Sequence, residues 1–476
     1  MTIPDPLPKN DDDEPNTTTN KTMRPRNPDA EYWWATIGHN LQSALSEAAY
    51  PAEIQARFLH HFRAIICPHM GRRMYPGGPK STICPDGSPF HCSFEFKESQ
   101  PEVVVRCSLD LRTGYRQQAH GQEQGPDATQ QVIAQLGPHL AHFDRRWFDS
   151  LSQSLGSTDV SGGAERQTTL FSGSSSSSSS SSTARATTVV GFDVHRTRTD
   201  AAPLLPANLK VTHFAAAAAA RNGITPWAAL RTSILQLPAI ETHPNFLRGL
   251  ELLETYMTTT TPSPTFPGKP AAPAYQAGAL ALSTDLTAPP PTQARLKLYL
   301  FPPSDDFAAV WDYYTLGGRI PGLEGDRGKF AALMMLLYGS TSPSPTTSTD
   351  GGGPARLTRR RILMYFSLSA HCPYPDPKIY FYVPDPNGAT DESYLRGLDR
   401  WLEDHGWASG DGHDGKRRRP LVERVRACFD HRPLSQGTGI FLCVGLGRKG
   451  NDRDGELSMQ VYLTPELGEA PVATFG

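Results

Sequence analysis

The 476-residue chain lacks the marks of several large protein classes. It has no run of about 18 apolar residues, so nothing in it is expected to span a membrane. The six alanines at 215–220 are too few for that. Its first residues, MTIPDPLPKNDDDEPNTTT, are polar and acidic and contain no apolar core of a signal peptide. The seven cysteines (Cys67, Cys84, Cys92, Cys107, Cys372, Cys428, Cys443) are scattered and odd in number, and none forms C-x-x-C. A reduced, cytoplasmic protein is therefore expected. Excess charge is also missing: 46 Lys+Arg stand against 48 Asp+Glu, a net −2, which disfavours a nucleic-acid or acidic-membrane partner. No D-D-x-x-D occurs, since the acidic run Asp11–Glu14 lies in the polar N-terminal segment. No histidines and cysteines share zinc-ligand spacing either.

What is present is a recurring unit. Residues 30–68 carry helical periodicity, with Phe58, Phe62, Ile65 and Ile66 on one face. Two extended segments follow, FHCSFEF (90–96) and EVVVRCSLDL (102–111). Helix followed by hairpin then recurs four more times. The strands are TTVVGFDV and LKVTHF, GALALSTDL and RLKLYLF, RILMYFSLS and KIYFYV, GIFLCVGL and LSMQVYLTP. Hairpins imply antiparallel pairing. Ten such strands with helices between them predict an α+β fold, a single ten-stranded antiparallel β-barrel surrounded by helices. The expected organisation is a disordered tail over 1–28 and one domain over 29–470. Low-complexity insertions near 156–187 (with nine serines, Ser174–Ser182), 258–274, 340–355 and 408–419 interrupt it.

The strands carry an unusual inner cargo. In ARLKLYLFPP, Arg295, Lys297 and Tyr299 alternate with Leu296, Leu298 and Leu300. If the leucines meet the helical jacket, the cations and the phenol face the lumen. The division recurs in KIYFYV, where Lys378, Tyr380 and Tyr382 oppose Ile379, Phe381 and Val383. Arg106 stands among valines, Lys210 opens LKVTHF, and Tyr462 shares a face with Gln460. Five cations in an enclosed space are costly without an anion. A diphosphate meets that need, with Arg as a bidentate donor and Lys as a point charge. The tyrosine faces can stabilise a carbocation.

These residues carry a resemblance. YWW (32–34), GSPFHCSFEF (87–96), ARLKLYLFPP followed by TLGGR (315–319), PDPKIYFYVPD (375–385) and VYLTPE (461–466) resemble the fungal dimethylallyltryptophan synthase (DMATS-type) aromatic prenyltransferases. The likeness runs over roughly residues 30–467 and implies the ABBA barrel of that family, with a role in alkaloid or polyketide secondary metabolism. It further implies an allyl diphosphate co-substrate, dimethylallyl diphosphate above all, and metal-independent alkylation of an aromatic acceptor with no cofactor. By the resemblance, Arg106, Lys210, Arg295, Lys297 and Lys378 bind the diphosphate, and Tyr299, Tyr380 and Tyr462 shield the cation. His91 and Lys210 are then the catalytic candidates. The expected partners are the two small molecules, with a homodimer left open and neither nucleic acid nor membrane.

Three positions depart from the family pattern. Tryptophan-accepting members carry a glutamate where this chain has His91; Thr212 and Cys443 stand where tyrosines are usual. Histidine can act as a general base near neutral pH. A phenolic or polyketide-type acceptor is therefore expected, with an indole (tryptophan, a derivative or a cyclic dipeptide) as the alternative. A barrel that binds an aromatic or isoprenoid without turnover is the second alternative. The bulky Leu363, Met364 and Phe366 near the expected donor tail point to a C5 prenyl group. GLGRKG (445–450) matches G-x-G-x-x-G, but a turn into a strand follows it rather than a helix, so it reads as a hairpin loop.

Overall fold

The computed structural model describes residues 27–75, 80–81, 83–98, 102–111, 127–156, 188–196, 205–259, 270–287, 295–339, 362–383, 389–407, 419–449 and 455–468. Of the tail expected over 1–28, only the last two residues fall among them. Asn27 caps the first helix, Pro28–Trp33, by accepting from the amides of Asp29 and Ala30. Most of the four stretches expected as insertions lie outside the described residues.

Ten strands alternate with helices, two at a time. They are β1 (Phe90–Lys97), β2 (Val104–Leu109), β3 (Thr188–Val194), β4 (Ala207–Phe214), β5 (Ala279–Asp285), β6 (Arg295–Leu300), β7 (Ile362–Ser369), β8 (Asp376–Tyr382), β9 (Phe441–Lys449) and β10 (Glu456–Leu463). Each pairs antiparallel with its sequence neighbours, and β1 pairs with β10, so the sheet closes on itself. Closure removes both sheet edges and separates two faces for every strand.

The outward face is aliphatic and meets the jacket. Leu296, Leu298 and Leu300 of β6 are fully buried in the large core shared with the helices. Burial of each contributes about 2 kcal/mol. Helix Arg146–Leu155 shows why the jacket folds where it does: Trp147, Phe148, Leu151 and Leu155 form one buried stripe. Its Ser152 hydroxyl lies 3.1 Å from His213 Nε2 on the outer face of β4. The helices carry ordinary start signals, among them Asp306 capping Phe307–Tyr314 and a Thr390–Ser393 capping box opening Asp391–Asp404.

TLGGR belongs to this jacket. Gly317 and Gly318 have φ of 67° and 78°, a left-handed conformation that ends the helix before them. Arg319 then donates back to the Leu316 carbonyl at 2.9 Å and lies over the Tyr256 ring. The motif marks the fold rather than the chemistry.

Inside the barrel lies a second, smaller apolar cluster, which includes Ile83, Cys84, Val189, Leu280, Leu363 and Tyr365. Ile83 and Cys84 come from the segment before β1, held by Ser81 donating to Asp110 at 2.7 Å. Two expectations change here. Met364 and Phe366 pack in the outer core, with Phe366 against Tyr313, and only Leu363 joins the inner cluster. The reason is strand alternation: Leu363 and Met364 are adjacent and must face opposite ways. The second change concerns GLGRKG. Gly445 and Gly447 lie within β9 rather than in a loop, while Gly450 is outside the described residues. Among the described residues, no helix is long and apolar enough to cross a membrane.

Candidate active site

Strand register gathers the expected residues onto the inner face. Lys297 stands opposite Ser283 on β5 and Ser367 on β7. Tyr299 stands opposite Tyr365, and Tyr365 opposite Lys378. Lys210 pairs across to Asp285 and Gly191, Arg106 to Asp193 and Ser93, and Tyr462 to Ser93 and Cys443. Directly opposed residues share a face, so one ladder runs around the lumen. Cations lie towards one end, and most of the tyrosines, with His91, lie towards the other.

The cations are not left to a diphosphate alone, because carboxylates of the barrel itself pair with three of them. Arg106 Nη2 donates to Glu95, and Arg106 Nε lies 3.4 Å from Asp193 Oδ1. Lys210 Nζ also donates to Asp193. Arg295 Nε donates to Asp285 at 2.8 Å. Burial pushes the Asp193 carboxyl up, but the Arg106 and Lys210 charges outweigh it and hold the group well below the usual carboxylate range. Asp285 is held low in the same way, against its burial, by Arg295, Lys297 and Lys210. Three buried carboxylates therefore neutralise much of the cluster, which is what low dielectric demands.

Lys297 and Lys378 differ from the rest. Lys297 is 5% exposed and makes no ion pair or hydrogen bond among the described residues. Its ammonium sits 5.9 Å from the centre of the Tyr365 ring. Burial, then the neighbouring Arg295 and Lys210 charges, pull it well below the ordinary lysine range. Lys378 donates to Gln460 at 2.9 Å, and Gln460 donates to Ser93 at 2.7 Å. A polar cavity of about 10 Å³ adjoins Arg295, Ser367, Lys378 and Ser458, the volume of roughly one water.

Inward glycines make room for these lysines. A Cβ on Gly445 would lie 2.7 Å from Lys378 Cε, and one on Gly447 2.9 Å from Lys378 Cα. One on Gly191 would meet the Lys210 stem at 3.0 Å. Gly445 and Gly447 thus make room for a lysine stem.

The tyrosines form a continuous group. Tyr299 lies 5.6 Å from Tyr365 and 6.4 Å from Tyr380, and Tyr365 lies 5.8 Å from Tyr380 (ring centres). Tyr380 meets Tyr462 edge-on at 5.5 Å, with their hydroxyls 3.4 Å apart. Burial pushes the Tyr299 phenol up to about 12 and raises Tyr365, Tyr380 and Tyr462 further, so all are neutral at physiological pH. Tyr365 was not singled out by the sequence. Its neighbours Met364 and Phe366 are equally bulky, and only the register sets it apart. It stands in a ring that Thr212 and Cys443 leave thinner.

His91 lies 5.5 Å from Tyr462 in an edge-on contact. Its Nδ1 is buried with no hydrogen-bond partner among the described residues. Burial, then the Lys210 charge, lower its pKa to about 4, so the ring is neutral. An unpartnered buried nitrogen is costly in a folded protein, and here it is available to a ligand. Glu95, on the same face of β1, is committed to Arg106. Among the described residues, no three His, Cys, Asp or Glu side chains gather as a metal site.

A family model described as tryptophan dimethylallyltransferase matches residues 29–414. The chain is 37% identical over 454 residues to the DMATS-type prenyltransferase mfmD of Annulohypoxylon moriforme, covering 93% of this chain and 94% of that one. It is 35% identical to prenyltransferase phnF of Penicillium herquei, with 93% of each covered. Xanthone prenyltransferase B of Emericella nidulans is 23% identical, over 94% of this chain and 90% of that one. The crystal structure of NotF prenyltransferase superposes with a TM-score of 0.69 at 17% identity, over 94% of this chain and 97% of that chain. A cationic, tyrosine-walled lumen inside a closed ten-stranded barrel, and relatives matched over more than nine-tenths of both chains, lead to one assignment: the chain belongs to the DMATS-type family and is an aromatic prenyltransferase, transferring a prenyl group from an allyl diphosphate to an aromatic acceptor.

Proposed function

We propose that the enzyme transfers a dimethylallyl group to a phenolic, polyketide-type aromatic held between His91 and the tyrosines. The observation that carries this reading is His91 Nδ1, buried beside Tyr462 and unpartnered among the described residues. A neutral imidazole nitrogen accepts a hydrogen bond from a phenol O–H without adding charge to the site.

Diphosphate contacts come from Arg106, Lys210, Arg295, Lys297 and Lys378. The donor C1–O bond breaks heterolytically, and its electron pair leaves with the diphosphate. The allyl cation then lies against Tyr299, Tyr365, Tyr380 and Tyr462, whose faces stabilise it and whose bulk keeps water away. The aromatic ring supplies the electron pair of the new bond. As it becomes positive its hydroxyl becomes strongly acidic, and His91 takes that proton; the ring proton then passes to the departing diphosphate, which the Lys210 ammonium helps to hold, and His91 returns its proton to the oxygen, so that the neutral prenylated phenol is released. Stabilisation of the separating charges by fixed groups supplies most of the rate.

An indole acceptor is the second reading. The family description names tryptophan, and the comparisons as a whole favour this alternative over the phenolic one. The xanthone named for one relative weighs the other way. The test is incubation with dimethylallyl diphosphate and a mixed panel of phenols, indoles and free tryptophan. Prenylated phenols are expected; prenylation of tryptophan alone overturns the phenolic reading.

A further inference from the structure

Asp193 occupies the middle of the cation cluster. Its carboxylate accepts from Lys210 Nζ and lies against Arg106 Nε. That guanidinium Nε is buried and makes no hydrogen bond among the described residues, although its charge is close to Asp193. The ion pair is thus electrostatically matched but geometrically incomplete, and a better-placed acceptor could replace it. Asp193 is 8% exposed and stays ionised against its burial. Asp285 likewise offsets a lumenal cation, accepting from Arg295 Nε at 2.8 Å.

We propose that Asp193 is an internal counter-ion with which the donor's diphosphate competes, so that it sets how loosely the lumen holds diphosphate and how readily the product leaves. This rests on the reading of the lumen as the diphosphate site. Five uncompensated cations around a diphosphate would hold the released product as firmly as the donor. A fixed carboxylate among them lowers both affinities while keeping Arg106 and Lys210 converged before the donor arrives. Asp193 is a positioning residue in this scheme and exchanges no proton or bond with substrate.

The test is calorimetric titration of the full-length protein with inorganic pyrophosphate, without metal. Wild type is expected to bind, and Lys297→Ala to bind much more weakly. Asp193→Asn keeps the side-chain shape and removes the charge. It should bind pyrophosphate about tenfold or more tightly, as expected for deleting a like charge a few ångströms from the ligand. In turnover its donor KM should fall, pyrophosphate inhibition should strengthen, and kcat should drop, a split that general damage to the site would not produce. A folded Asp193→Asn protein that binds pyrophosphate equally or less well overturns the inference while leaving the lumenal site intact. Wild-type binding that survives Lys297→Ala unchanged overturns the site itself. If Asp193→Asn does not fold, Asp285→Asn carries the same prediction through Arg295, read by the same titration and by the shift in melting temperature that pyrophosphate produces.

Discussion

Replacing Lys297 with methionine should move activity and stability in opposite directions. The ammonium is buried, it has no carboxylate of its own among the described residues, and Arg295 and Lys210 repel it. Against a diphosphate at contact distance, one such charge contributes about 2–4 kcal/mol at an effective dielectric of about 20. Part of that is spent on charging an amine that its burial and neighbouring cations hold towards neutrality. A loss of about 30- to 1000-fold in kcat/KM for the donor follows. For stability the sign is reversed. A lysine whose folded pKa is depressed costs stability as pH falls below its unfolded value of about 10.4. At neutral pH the wild type carries that cost, and methionine fills similar volume without it. Lys297→Met should therefore melt at or above the wild-type temperature near pH 7, with the difference closing towards pH 10. Initial rates at saturating acceptor and thermal unfolding across pH measure both. A folded variant with less than a threefold change in kcat/KM, or one that is clearly destabilised at pH 7, would refute the reasoning.

His91→Ala should change acceptor KM and product distribution while leaving donor KM nearly constant. His91 is held near 4, below its unfolded value of about 6.5, so the neutral ring costs nothing at pH 7 and the fold loses stability as pH falls from about 6.5 to 4. The alanine variant should flatten the acid limb of both the rate and the melting profile. Tyr365→Phe keeps the ring face and should cost no more than about threefold in kcat, whereas Tyr365→Leu removes a contact of about 1–2 kcal/mol to the cation and should cost tenfold or more; equal losses would show that the hydroxyl matters instead. Gly445→Ala forces Lys378 aside and should raise donor KM with a nearly unchanged far-ultraviolet spectrum. Full turnover in excess EDTA is expected, since side-chain cations take the place of a bridging metal; rates that fall and recover on adding magnesium would contradict it.

Much of the barrel could be read from alternation. A row such as RLKLYL can satisfy both faces only as a two-sided strand, and its repetition across the chain implied closure. The lumenal cations were visible for the same reason, since lysine and arginine among aliphatics stand out. Glu95, Asp193 and Asp285 were not: a carboxylate on a strand looks like a solvated one until register sets it against Arg106, Lys210 or Arg295. Tyr365 and the pair Met364/Phe366 show the same limit, because which of three bulky residues turns inward depends on pairing with β6 and β8. Gly445 and Gly447 looked like loop punctuation because glycine's other use, leaving space for a neighbour's stem, requires knowing the neighbour. TLGGR was informative about ancestry although its own contacts lie in a helix terminus of the jacket.

The central claim is that the lumenal cations hold a diphosphate while the tyrosine end holds an aromatic against His91. A crystal structure of the enzyme with a thiolodiphosphate donor analogue and a phenolic acceptor tests it most directly. The account predicts diphosphate oxygens within hydrogen-bonding distance of Lys297, Lys378 and Arg295, the prenyl tail against Tyr299, Tyr365 and Tyr380, and the phenol oxygen at His91 Nδ1. A diphosphate bound outside the barrel, or an acceptor seated away from His91, would contradict it.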